Sequence, residues 1–287
     1  MASMKAIKKR ISSVNNTKKI MKAMNLVAAS KLQKAKARLD HIRPLFENLQ
    51  QVMDSLKSGL ESGADFIFAE DREVKTIAYI VMTGDRGLCG GFNTNVSKEA
   101  FAFVESNRDK KEKILAVGSK GWEYFRRRNK EIAYRSIAAS EATLFADAEA
   151  LGERVARMYT TGEADEVYLI YTHFESVLAH VPFIVRLLPF KSRNQEDSGG
   201  YAPVMSYDPD AASFFDHAIP MYLSISIFGA MMESAVCEQA SRMTSMDSAS
   251  RNANEIIDHL TLEFNRKRQA MITQEISEIV TGANALG

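Results

Sequence analysis

Cysteine is nearly missing from these 287 residues: Cys89 and Cys237 are the only two. That excludes a disulfide scaffold and fits a reducing compartment. Proline is scarce as well, with six in all. Pro44 is the only one before Pro182, and none follows Pro220, so both ends are free to form long helices. No run of 18 residues is wholly apolar, so no transmembrane helix is expected. The basic start has no apolar stretch behind it, so no signal peptide is expected either. The five histidines show no H-E-x-x-H motif, no cysteine at metal spacing and no i,i+4 pair, and no metal is expected. A net charge of +1 gives the whole molecule no general affinity for polyanions.

What is present is a composition of 46% apolar and 25% charged residues, which is that of a globular protein. The charge is unevenly spread. Residues 1–43 hold nine lysines, three arginines and one aspartate, a local charge of +11.

In the same region the apolar positions step alternately by three and four: Met4, Ile7, Ile11, Val14 and so on through Ala28, Leu32, Leu39, Met53, Leu56 and Leu60. Lys18 and Asn25 alone interrupt the stripe. A period of 3.5 held this long predicts a coiled-coil helix, about 85 Å in length at about 1.5 Å per residue. A bend is expected at Pro44. The pattern returns after Pro220, which reads as a helix start. It runs from Met221 and Ile225 through Met246, Ile256 and Leu260, then slips by one residue into Phe264, Ile272, Ile276 and Val280. This second helix is expected to span about 90 Å. Neither stripe can be buried alone, so the two are expected to pack as an antiparallel pair, with Ala28, Ala35, Ala235, Ala249 and Ala253 allowing close approach.

Between them the period changes. Residues 73–82, 113–117, 166–172 and 181–190 read as strands, the last two as an antiparallel pair; 95–107, 119–128 and 141–161 read as helices. This alternation argues for an α/β domain with a partly parallel sheet. The expected division is an N-terminal coiled-coil helix over 1–60, a central α/β domain over 73–190, a linker loop over 191–219 and a C-terminal coiled-coil helix over 220–287.

The stretch TGDRGLCGGFNTN, residues 83–95, looks most like a catalyst, because glycine turns between strand and helix often hold phosphate. A P-loop needs Lys-Ser/Thr after its last glycine, but Phe92-Asn93 follows Gly91. The spacing Gly84, Gly87, Gly90, Gly91 does not fit the dinucleotide fingerprint G-x-G-x-x-G either. The plain alternative is a turn with left-handed Gly84 and Gly87, and Asn93, Thr94 or Asn95 capping the next helix. Cys89 has no histidine near it in sequence, and Glu275 with Glu278 reads as a solvated helix face. No catalytic residue and no cofactor is expected.

Three stretches together carry a resemblance: KKIMKAMNLVAASKLQKA, GDRGLCGGFN, and the long run from SRMTSMDSASRNANEII to VTGANAL. The chain resembles, along its full length, the gamma subunit of F-type ATP synthases of the bacterial type. The resemblance implies an antiparallel coiled coil of the terminal helices plus a central Rossmann-like α/β domain. It implies a non-catalytic role as the rotor of the F1 sector, coupling the turning of the membrane c-ring to conformational change at the catalytic beta subunits. Alpha, beta and epsilon subunits and the c-ring would be its partners, on the cytoplasmic face of the bacterial inner membrane. By the same resemblance, Met24, Arg242, Gln269 and Thr273 fall where the shaft meets the beta loops. Asp85, Arg86 and Cys89 fall where its flank faces the beta subunits, and the tail from Ala270 to Leu286 sits in an apolar bearing. The regulatory cysteine pair of chloroplast members is missing here. A basic helix binding nucleic acid or an acidic membrane is the rival class, but matched heptad seams ask for a protein partner, and no aromatic precedes Phe46 to stack on bases.

Overall fold

The computed structural model describes residues 2–58, 67–68, 72–137, 145–190 and 211–286. The helices are α1 (Ala2–Ser58), α2 (Phe92–Ser106), α3 (Ser119–Arg126), α4 (Phe145–Thr160) and α5 (Ala211–Leu286). The strands are β1 (Thr76–Met82), β2 (Lys111–Val117), β3 (Ile132–Ser136), β4 (Glu166–Phe174) and β5 (His180–Leu188). The chain divides into two compact units, one of Met1–Ala28 with Arg242–Gly287 and one of Ala29–Ser241.

The first unit is a helix pair. Ile7 and Ala28 of α1 are buried, as are Met246, Ala253 and Leu260 of α5. The Asn25 side-chain amide donates to the Met243 carbonyl at 2.8 Å. Near the other end Glu263 is held below the usual carboxylate range, chiefly by its hydrogen bond to Lys267 and in small part by Arg10. Going forward from Arg10 to Asn25 therefore goes backward from Glu263 to Met243, so the pair is antiparallel. Asn25, which breaks the heptad stripe, faces the partner helix and ties its backbone. The slip in the α5 stripe comes earlier than the sequence spacing predicts. Ile256 is 47% exposed, whereas Ile257 is half-buried, so the slip lies between Ala253 and Ile257.

The second unit is built on a five-stranded sheet in the order β3-β2-β1-β4-β5. The first four strands are parallel to their neighbours, and β5 runs antiparallel to β4. The expected α/β architecture with a final antiparallel pair is the observed one. β1 is central and apolar on both faces, as a strand covered on both sides must be. Ala78, Ile80 and Met82 join Leu151, Val155 and Tyr159 of α4 and Ile219, Leu223 and Ile227 of α5 in one core. Ile77, Tyr79 and Val81 point the other way, into a core with Val96, Ala100 and Val104 of α2 and Phe125 of α3.

Two elements differ from the sequence expectation. β3 is an extra strand, short and at the sheet edge, where only a partly buried face is needed and the period-2 signal is weak. α5 starts at Ala211, so the linker expected over 191–219 ends sooner and Pro220 lies inside the helix. Phe215 and Ile219, both fully buried, anchor that first stretch, and their burial outweighs the backbone bond lost at proline. α1 runs through Pro44 as one helix, as the heptad stripe predicts. One 18-residue window within His217–Asn284 is apolar enough to cross a membrane, but 67% of it is buried inside the fold, as in a core helix.

Candidate functional site

The glycine turn joins β1 to α2 by a dense set of hydrogen bonds. Thr83 leaves the strand with its N–H on the Val117 carbonyl at 2.8 Å. Its hydroxyl donates to the same carbonyl at 3.0 Å and accepts from the Gly121 N–H at 2.8 Å. Gly84 N–H donates to Asn93 Oδ1 at 2.7 Å, and Asn93 Nδ2 returns to the Arg86 carbonyl at 3.1 Å. Asn93 thus closes the turn and does not cap α2, whose N-cap is Gly91 with no side-chain bond. The left-handed residues are Leu88 and Gly90, at φ of 62° and 54°, and neither Gly84 nor Gly87 is among them. Gly84 answers a different need: a Cβ there would lie 2.8 Å from the carboxyl carbon of Glu238.

A phosphate would have to compete with a carboxylate here. Asp85 Oδ1 accepts both the backbone N–H and the hydroxyl of Ser119, each at 2.7 Å, at the N-terminus of α3. The Lys120 N–H goes to the Gly84 carbonyl at 3.1 Å. The first three amides of α3, at its positive end, are thus already used by the protein itself.

Cys89 is 2% exposed, its thiol near the Arg86 carbonyl and the Asn93 amide. Its own carbonyl accepts from Ser241 Oγ at 2.7 Å. Cys89 therefore fixes the turn and offers no side chain outward, contrary to its expected place among surface contacts. Asp85 is half-buried and engaged with α3, while Arg86 and Leu88 face outward, Leu88 at 62% exposure. Cys237 is buried too, and desolvation, with Glu233 adding to it, pushes its thiol far above the usual range. Neither sulfur is an activated nucleophile.

In the helix-pair unit, Met24 is half-buried and stands between Ile20 and Val27, which are 61% and 53% exposed. Residues 20, 24 and 27 share one helix face beside the buried seam. Sequence reading picked Met24 but missed its two neighbours; the signal was an apolar series off the heptad stripe. Arg242 is buried, and Gln269 and Thr273 are exposed. These last two lie on one face with Ile272, Ile276 and Val280, all about half exposed. A long, exposed apolar stripe on a helix marks a surface that meets something else.

Comparison with known proteins decides the question left by this geometry. The family model described as ATP synthase matches residues 3–286. The ATP synthase gamma chain of Desulforamulus reducens is 41% identical over 286 residues, covering 100% of both chains. The chain belongs to the ATP synthase gamma-chain family. In the central stalk and c-ring structure of the Tetrahymena thermophila mitochondrial ATP synthase, one chain matches 80% of this one and 99% of its own length, at 26% identity and a TM-score of 0.63. A chain of the Euglena gracilis mitochondrial ATP synthase shares the fold over 99% of this chain and 95% of its own, with 15% identity and a TM-score of 0.71. Gamma chains are subunits of the synthase, and the chemistry of ATP is the work of the whole complex.

Proposed function

We infer that this chain is the rotating central stalk of the F1 sector, turned by the membrane c-ring and driving the catalytic beta subunits through their conformations in sequence. The observation that carries this reading is end-to-end similarity to gamma chains, combined with the pairing of both chain ends in one antiparallel helix unit. A helix pair tied by a packed seam resists twisting better than a single helix, and resistance to twist is what transmission of torque requires. The two helices differ in their outer faces, so the pair is lopsided. α1 presents exposed Lys8, Lys9, Lys19 and Lys22 beside the apolar residues Ile20 and Val27. An axle of that kind presents a different surface to each of several identical neighbours as it turns.

The partners in this reading are the alpha, beta and epsilon subunits and the c-ring, on the cytoplasmic face of a bacterial membrane. Met24, Arg86, Gln269 and Thr273 are proposed contacts to beta. Asp85, Cys89 and Arg242 support the same surfaces from within. The test is reconstitution with alpha and beta subunits. Steady ATP hydrolysis is expected only when this chain is added, and a Gln269→Cys cross-link to beta is expected to stop it. Full hydrolysis despite that cross-link would overturn the rotary role.

A further inference from the structure

The seam of the helix-pair unit changes character along its length. Early in α1 the stripe is Ile7, Ile11 and Val14, whose branching at Cβ leaves few rotamers. Around Asn25 it is methionine and alanine: Met21 and Ala28 on α1, with Met243, Met246 and Ala249 on α5, all buried or half-buried. Methionine has three rotatable bonds and fits many arrangements, and alanine reaches too little to choose between them. Apolar contact of that kind holds two helices together without deciding how each is turned about its own axis.

The second observation is a directional contact in the same stretch. Asn25 Nδ2 donates to the Met243 carbonyl at 2.8 Å. The acceptor is backbone, so the bond refers the rotation of α1 to the α5 helix itself and not to a pliable side chain. Hydrogen bonds weaken steeply as they lengthen or bend, so a turn of α1 would break this one. A polar residue at a heptad position lowers stability and specifies register, which is what such asparagines do in coiled coils. Met24 is the residue before Asn25, and Ile20 and Val27 share its helix face beside the seam. A turn of α1 would carry all three away together.

We propose that Asn25 is a rotation lock: its bond to α5 fixes the angle of α1, and with it the direction in which Ile20, Met24 and Val27 face, at a cost in stability. Use of that face on beta rests on the rotary reading, whereas the lock is a property of the chain alone and is tested there.

Spin labels at Lys22→Cys and Ser248→Cys, exposed positions on the two helices, report the distance across the pair in the full chain by pulsed electron resonance. Cys89 and Cys237 are buried and stay unlabelled in the folded protein. Asn25→Leu is expected to broaden the distance distribution at least about twofold, because leucine can pack among the methionines in more than one way. Its melting temperature is expected to stay level or rise, since an apolar side chain suits the seam better than an amide. Asn25→Asp keeps the shape but loses the donor, and is expected to broaden the distribution as much. A distribution in either variant as narrow as that of the chain with Asn25 would overturn the proposal. So would a lower melting temperature for Asn25→Leu, which would make the bond a plain contribution to stability.

Discussion

Asp85 uses a single oxygen to hold the first turn of α3, whose own N-cap is Gly118 with no side chain to offer. Asp85→Ala is therefore expected to cost about 1–2 kcal/mol, as removal of a capping carboxylate does, read from the urea midpoint. Gly118 is less forgiving. Its φ is 98°, and a Cβ would fall 2.1 Å from the backbone oxygen of Thr83. Gly118→Ala is expected to cost more than about 3 kcal/mol, because backbone strain and overlap with a backbone atom add together. A stable Gly118→Ala protein would mean that the turn can be rebuilt. His180 sets a pH dependence: desolvation lowers its pKa from the ordinary 6.5, and its Nδ1 is buried without a partner. The unfolded chain then binds the proton more readily than the folded one, so stability falls as pH drops from about 7 through 6.5 and below. Thermal melts at pH 7.5 and 5.5 are expected to differ less for His180→Gln than for the unaltered chain. Of these three roles the sequence showed little, since each depends on residues far apart in the chain.

The long helices were legible because their signal is repetitive. Among the described residues, every heptad position from Met4 to Met53 is buried or half-buried, and even Lys18 is half-buried. Repetition averages out local errors, so two polar residues, Lys18 and Asn25, did not hide the stripe. The start of α5 was hidden because Pro220 is a strong local breaker, and the fully buried Phe215 and Ile219 that override it act through tertiary contacts. β3 was missed for a related reason: a five-residue edge strand carries too few alternations to be read. The close approach of α4 to α5 was equally invisible. A Cβ on Gly152 would lie 2.5 Å from Ser224 Oγ and 3.0 Å from the Ser224 backbone, so the two helices meet at that glycine. Gly152→Leu is expected to cost about 1–3 kcal/mol by forcing them apart. Because α4 and α5 share a core with β1, circular dichroism and tryptophan fluorescence should lose their signals together in one transition. The one tryptophan, Trp122, lies on α3 against the core on the other face of the sheet, so separate transitions would show that the two faces unfold independently.

At the scale of the whole molecule the telling feature is apolar surface that nothing among the described residues covers. Beyond Met271 every described residue of α5 whose burial is defined is exposed, and Ile272, Ile276, Ile279 and Val280 stand between 47% and 71% exposed. Such a stripe is unfavourable in water, and fully burying each such side chain in a partner contributes about 1.5–3 kcal/mol. In the rotary reading, the partner is the apolar bearing formed by alpha and beta. Ile276→Asp combined with Val280→Asp is expected to leave the melting temperature of the isolated chain nearly unchanged, since both positions are already exposed. The same pair is expected to weaken assembly with alpha and beta at least about tenfold, because two charges would then be carried into an apolar seat. The comparison separates two explanations that activity alone would merge. A chain that still assembles with unaltered affinity has its tail free of any bearing, and a chain that unfolds by itself owed its stability to the tail. Only intact folding with lost assembly agrees with an axle whose tip turns against its neighbours.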